Sequence, residues 1–264
     1  MVNEDLPMKS NDSAALSKVP QVTLAFWIIK VLATTLGETG GDALSMQLQL
    51  GYAISTLIFL GFFLVTATAQ ISARRFHPLF YWATVVATTT VGTTTSDYID
   101  RTLGLGYVRS SAMLLLAVVV ILIVWRRTTG TIAVDRITSR TNEGFYWAAI
   151  LVSNTLGTAL GDFIASFPSI GFEGGALLFS GLIAVVAAAH FFTKAPEAIL
   201  FWSAYVLTRP LGATLGDTLT KPRAEGGLDL SRIDSSLVIA ALMVVGVALI
   251  ALAGRRSRAE PTSA

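Results

Sequence analysis

Four aspartates recur at one fixed distance from a tryptophan along the chain. Each stands fifteen residues after a tryptophan, and a glycine stands ten residues after the same tryptophan. The three sets are Trp27, Trp82, Trp147 and Trp202; Gly37, Gly92, Gly157 and Gly212; and Asp42, Asp97, Asp162 and Asp217. Carboxylates repeated at one helical depth can form an acidic ring that selects cations, or they can carry protons.

Further oxygen ligands fall on the helical face that carries each aspartate. Positions 8, 11 and 15 after the tryptophan are three and four residues apart, so they lie on one side of a helix. Position 15 is the aspartate itself. Positions 8 and 11 hold Thr35 and Glu38 in the first copy, Thr90 and Thr93 in the second, Thr155 and Thr158 in the third, and Pro210 and Ala213 in the fourth. Hard cations prefer such oxygens. The sequence therefore predicts an ion or proton site, with a metal ion as one candidate ligand of the four aspartates.

Each aspartate taken singly has a second interpretation. It can cap a helix or pair with a nearby base. Asp217 stands four residues before Lys221, and Asp97 and Asp100 stand four residues and one residue before Arg101, so either of them could pair with it. In this alternative the aspartates serve local structure and bind no ion.

Two basic residues interrupt otherwise apolar segments. Arg209 stands seven residues after Trp202 and is followed by Pro210, which removes a backbone donor and favours a kink. Charges inside a membrane usually pair or line a water-filled cavity. Arg209 is therefore expected to be a countercharge to an intramembrane carboxylate or a ligand of an anionic substrate. Lys30, three residues after Trp27, is expected to extend its amine to the cytoplasmic interface.

The composition is that of a polytopic membrane protein. Of 264 residues, 53% are hydrophobic and 14% are charged, against about 25% charged in soluble domains. The charges sum to +2 and fall in short clusters, so nucleic acid is not an expected partner. The chain has no cysteine, which excludes disulfides and thiolate chemistry. It has neither a His-Glu-x-x-His nor a Gly-x-Ser-x-Gly motif, so an enzyme and a bound cofactor are not expected.

Eight segments approach the roughly 20 residues that a membrane helix needs. They are residues 22–36, 51–71, 79–96, 110–125, 145–161, 174–192, 198–216 and 235–253. Twelve lysines and arginines fall in the segments on one side of the predicted membrane and five in those on the other side. Because positive residues favour the cytoplasmic side, both termini are predicted to be cytoplasmic. The predicted fold is an all-α polytopic membrane bundle of eight transmembrane helices.

The eight segments form four parallel two-helix repeats. The tryptophans stand 55, 65 and 55 residues apart, which indicates a pair of pairs, and a glycine follows each tryptophan by 24 residues. The predicted repeats are 21–75, 76–127, 144–194 and 195–254, with a linker at 128–143 and tails at 1–20 and 255–264. First helices carry the polar residues, so they should form an inner ring covered by apolar second helices. The tryptophans are interpreted as interfacial anchors.

These tryptophan-led copies, from about residue 20 to residue 254, resemble a bacterial family of integral membrane proteins. That family carries four tandem copies of a repeat of unknown function, each with two transmembrane helices and a tryptophan. The resemblance implies this architecture and the bacterial cytoplasmic (inner) membrane, and it implies no activity.

The leading functional hypothesis is a transporter of a cation or of a proton-coupled solute. Its site would use Asp42, Asp97, Asp162, Asp217, Glu38, Thr35, Thr90, Thr155 and Arg209. One alternative is a cation channel with a central pore, against which Arg209 argues. Another is a structural or sensory membrane protein without flux. The expected partners are the lipid bilayer and a small ion or small molecule, and a homo-oligomer stays open.

Overall fold

The regular secondary structure is entirely helical in the part of the chain that the structure describes. This structure is a computed structural model that covers residues 19–73, 76–134, 137 and 139–259, with side chains as far as residue 252. Its eight helices are α1 (Leu24–Asp42), α2 (Gly51–Ser72), α3 (Pro78–Asp97), α4 (Tyr107–Thr129), α5 (Arg140–Ala165), α6 (Gly171–Phe192), α7 (Glu197–Thr220) and α8 (Arg232–Ala259). The predicted all-α fold is confirmed. Residues 1–18 of the predicted N-terminal tail lie outside the described residues.

Local sequence signals explain where several helices begin. The Thr23 hydroxyl accepts a hydrogen bond from the Phe26 amide at 3.3 Å, and Ser139 caps α5 in the same way. The recurrent glycine 24 residues after each tryptophan has a backbone reason, since all four copies have positive φ, from 58° to 88°. Only glycine adopts this conformation freely. These glycines, Gly51, Gly106, Gly171 and Gly226, therefore turn the chain toward the second helix of each repeat.

The four first helices form a closed inner ring, as predicted. Helices α1, α3, α5 and α7 contact one another in cyclic order, and α7 returns to α1. The glycine ten residues after each tryptophan lies at these contacts: Gly37 against Thr89, Gly92 against Asn154, Gly157 against Arg209 and Gly212 against Thr34. A Cβ at Gly92 would lie 2.9 Å from the Asn154 carbonyl carbon, so the approach requires glycine.

Each outer helix packs mainly on the inner helix of the next repeat. Helix α2 covers α3, α4 covers α5, α6 covers α7, and the last helix, α8, covers the first, α1. The outward faces carry exposed leucines such as Leu57 and Leu116. Five helices (α2, α4, α5, α6 and α8 as far as Leu252) are each long and apolar enough to cross a membrane, which indicates a membrane protein. The other three, α1, α3 and α7, are inner helices whose polar residues are largely buried.

The tryptophans do not act as exposed interfacial anchors, which corrects the sequence-based interpretation. Trp82, Trp147 and Trp202 are only 5%, 3% and 4% exposed, and Trp27 is half-buried. Each packs against the aromatic residue that precedes the tryptophan of the neighbouring copy. The pairs are Phe26–Trp82, Tyr81–Trp147, Tyr146–Trp202 and Phe201–Trp27, with ring centroids 5.6, 5.7, 6.1 and 5.7 Å apart. These residues form an aromatic layer that closes the ring at the end opposite the aspartates.

Candidate functional site

The four aspartates lie at one end of the inner ring. Asp42 and Asp97 are the last residues of α1 and α3, and Asp162 and Asp217 lie three residues before the ends of α5 and α7. All four are buried, between 1% and 7% exposed. Helices α1 and α3 continue into single π-helical turns, Ala43–Gln47 and Tyr98–Thr102. The structure thus brings the four carboxyl groups to one depth, at the edge of the ring.

Two basic residues bridge these aspartates in a twofold pattern. Arg101 binds Asp97 at 3.0 Å and Asp162 at 3.2 Å. Lys221 binds Asp217 at 3.1 Å and Asp42 at 3.0 Å. Both bases stand nineteen residues after a tryptophan, in the second and fourth copies. Each therefore joins its own copy to the next one, a contact that the local-pairing alternative did not include.

Lys221 stands one residue beyond the end of α7. Burial alone lowers the pKa of its amine, but the carboxylates of Asp217 and Asp42 outweigh burial and raise that pKa above its ordinary value. Lys221 therefore keeps its proton, and it neutralises part of the acidic charge at this end of the ring.

The two bridging bases should differ in their contribution to stability. We expect Lys221→Met to cost about 3–5 kcal/mol, because the side chain is 8% exposed and its loss leaves the buried Asp217 without a base and Asp42 with only Arg232, at 3.6 Å. We expect Arg101→Met to cost less, about 1–3 kcal/mol, because it also leaves two buried carboxylates, but its own side chain is 33% exposed, so its charge is better screened by water. Denaturant unfolding in mixed micelles measures both losses, and equal losses would contradict this difference.

Arg209 lies at the centre of the ring and contacts all three other inner helices. Its side chain is fully buried, and the two N–H groups of Nη2 are shared among three acceptors: Glu38 Oε2 at 2.9 Å, Thr158 Oγ1 at 2.6 Å and Thr93 Oγ1. These three acceptors stand eleven residues after their tryptophans. The fourth copy has the small Ala213 there, which is buried. Of the two roles predicted for Arg209, the structure provides a countercharge, and the carboxylate is that of Glu38.

Three carboxyl groups from three helices approach one another beside this arginine. Oxygens of Glu38 on α1, Asp162 on α5 and Asp217 on α7 all lie within 4.8 Å of one another, and all three residues are buried. Oxygen ligands at this separation are suited to a hard cation. We call Glu38, Asp162 and Asp217 the carboxylate triad.

A cavity of about 520 Å³ reaches two members of the triad. Asp162 and Asp217 form part of its wall, together with Arg101, Lys221 and Arg232, and Tyr107 and Phe172 add aromatic surface. Its volume falls in the range of small-ligand sites, about 300–1,000 Å³. The cavity gives a small solute access to carboxylates that are otherwise enclosed.

The threonines predicted as ligands do not join the triad. The hydroxyls of Thr35, Thr90 and Thr155 donate to carbonyls of their own helices, those of Val31, Val86 and Leu151, at 3.0, 3.1 and 3.0 Å. The interior position is one residue earlier, seven after the tryptophan, and of its four residues only Arg209 was predicted from the sequence. It holds Thr34, Thr89, Asn154 and Arg209, and the first three bond across to Thr208, Ala33 and Thr88 of adjacent helices.

The described part of the ring is closed along its axis. Arg209 occupies its middle, the glycine contacts bring the helices together, and the aromatic layer fills the far end. The arrangement can hold a cation at the triad, but access from the aromatic side requires the ring to change conformation.

Comparison with known proteins gives one family match. The model described as "Repeat of Unknown Function (DUF347)" matches residues 25–76, 80–131, 145–195 and 200–256. No curated protein and no solved structure gives a significant match to this chain.

Proposed function

Since the chain belongs to the DUF347 repeat family, whose function is unknown, we propose from the site alone that it is a membrane transporter of a cation. The observation that carries this proposal is the carboxylate triad: three buried acids from three helices, two of which line a cavity large enough for a small ligand. Transport sites in helical membrane proteins are commonly built where several helices place charged groups in a protected cavity.

The charge balance at this end of the ring favours a cation. Six buried carboxyl groups gather there: Glu38, Asp42, Asp97, Asp100, Asp162 and Asp217. Four bases face them: Arg101, Lys221, Arg209 and, at 3.6 Å from Asp42, Arg232. Six acids therefore face four bases, which leaves an excess of acidic groups. Buried charge without a partner is costly, so a bound cation or proton would stabilise this end of the ring.

Glu38 links cation binding to the centre of the ring. In the structure its carboxylate binds Arg209, which in turn holds Thr93 on α3 and Thr158 on α5. A cation at the triad competes with Arg209 for Glu38, because both are positive charges seeking the same oxygens. Binding therefore weakens the contacts through which one arginine holds the four inner helices together, and it favours opening of the ring.

A carrier explains these features better than a pore. A fixed guanidinium on the axis repels cations, and the closed ring requires alternating access. In this proposal both termini and the aromatic layer face the cytoplasm, in the bacterial inner membrane, and the aspartates face outward. The positive-inside distribution of lysine and arginine supports this orientation.

Flux measurements on reconstituted protein test the proposal. Asp162→Asn and Asp217→Asn should each reduce cation flux into liposomes at least about ten-fold, since a lost anionic ligand costs ~1.4 kcal/mol or more. Na⁺, K⁺, Mg²⁺ and Mn²⁺ are supplied in turn and detected by indicators inside the vesicles. Asp234→Asn, an exposed aspartate at the start of α8, is the matched control and should leave flux unchanged.

Two outcomes would reject the proposal. Wild-type vesicles that take up none of these cations would support the non-transporting alternative. Undiminished flux in both aspartate variants would remove the triad from the mechanism.

A further inference from the structure

Lys30 is a buried lysine near the aromatic layer, far from the aspartates. It lies on α1, eight residues before Glu38, and its side chain is fully enclosed. The expectation that its amine reaches the interface is therefore wrong. The physical reason is that the aromatic layer closes the ring around it, so that the amine lies 4.2 Å from the centre of the Tyr205 ring.

The Lys30 amine has no hydrogen-bond partner among the residues that the structure describes. Among these residues no carboxylate pairs with the Lys30 amine. The charged group that acts on the amine is Arg209, which repels a positive charge. An enclosed ammonium without a counterion carries a large desolvation penalty. A face of an aromatic ring compensates only part of that penalty. The surroundings therefore favour a neutral amine in the closed ring.

The groups around Lys30 can pass a proton but cannot neutralise an ammonium. Helix α7 contributes Tyr205, whose hydroxyl also has no partner among the described residues, and Arg209. Helices α3 and α5 contribute Tyr81 and Tyr146 to this layer, whose hydroxyls are hydrogen-bonded to each other at 2.7 Å. Helix α8 contributes Met243 and Val247 to the same core, and neither titrates.

We propose that Lys30 is the proton-binding site of this transporter, a neutral amine in the closed ring that accepts a proton when the ring opens. The step is a proton transfer from cytoplasmic water to the lone pair of Nζ, with no change of oxidation state. This inference rests on the proposed transport function, and it adds the coupling ion.

Proton and cation should exchange rather than travel together. A proton on Lys30 and a cation at the triad each add a positive charge that acts on Arg209, one from each side. Simultaneous occupancy is disfavoured because the three positive charges repel one another. The geometry therefore predicts that entry of protons drives export of the cation, and the reverse.

Nitrogen NMR of the full-length protein in lipid nanodiscs tests the protonation state directly. The chain has five lysines, so the Lys30 signal is assigned by its loss in Lys30→Met, or in Lys30→Gln if the first variant does not fold. At neutral pH we expect a neutral-amine shift for the Lys30 signal, and Lys194→Met, at an exposed lysine, should leave that signal in place. An ammonium shift for Lys30 at neutral pH would overturn the proposal.

Liposome exchange tests the coupling. Wild-type protein should build a cation gradient from an imposed pH gradient. Lys30→Met should lose this accumulation completely and keep cation-for-cation exchange, whereas Lys194→Met should keep both. Wild-type accumulation in Lys30→Met would overturn the coupling role. If the wild type moves no cation, the transport function and the coupling fail together, whereas a neutral Lys30 in the NMR experiment would still identify the amine as a proton site.

Discussion

Arg209→Met destabilises the protein by about 3–5 kcal/mol, because it leaves the Glu38 carboxylate buried without its cation. The loss is large because one guanidinium serves three helices. Its Nη2 binds Glu38 on α1, Thr93 on α3 and Thr158 on α5, so the substitution removes polar contacts on every inner neighbour at once. Unfolding by denaturant in mixed micelles gives the change in free energy.

A double variant separates the charge effect from the loss of packing. Glu38→Gln removes the carboxylate that Arg209→Met leaves unpaired. The double variant that carries both substitutions should therefore recover more than half of the stability lost in Arg209→Met. Arg209→Lys keeps the charge, but its shorter side chain does not carry the nitrogen as far as Nη2, and an intermediate stability is expected. A double variant no more stable than Arg209→Met alone would show that Glu38 is not the residue for which Arg209 is needed.

Gly212→Ala destabilises the protein by about 3 kcal/mol or more, because the new methyl group has no space. It would overlap the Thr34 side chain and lie 2.7 Å from the Thr34 carbonyl carbon. Rotation of the threonine cannot relieve a clash with backbone, so α7 and α1 must separate. This contact joins the fourth copy to the first, and its loss opens the ring.

Gly61→Ala is the matched control for this substitution. Gly61 is an exposed mid-helix glycine on α2, and nothing lies within 4 Å of a Cβ added there. Alanine should stabilise the helix by up to about 1 kcal/mol, through its better helix propensity. Both variants are measured by the same unfolding assay. Similar free energies for the two alanine variants would show that close packing is not the reason for the glycine in α7.

The fold was largely predictable because the same residue spacing occurs four times, so that a pattern too weak to interpret in one copy becomes clear in four. Four copies of one spacing identify four hairpins, and the polarity of Thr88–Thr90 against the apolar α4 assigns α3 to the interior. Polarity does not say which neighbour an apolar helix covers. The packing of each outer helix on the next copy therefore could not be read from the sequence.

The site was predictable in its depth but not in its partners. Helical spacing alone does not distinguish position 7 from position 8 after the tryptophan, since both are close to position 11 on the helix surface. Thr34 was missed and Thr35 was chosen for this reason. Glu38 and Arg209 are 171 residues apart in sequence, so only the closed ring brings them together. Lys30 was placed at the surface because a single helix gives no sign of the aromatic residues that enclose it.

The transfer of each outer helix to the following repeat makes the first repeat depend on the fourth. Helix α8 covers α1, so α1 stays without its outer helix until the fourth repeat has been synthesised. A chain of only two repeats would expose one uncovered inner helix and one unplaced outer helix. Two such chains would complete each other, and the bridging bases, present in every second copy, already have that symmetry.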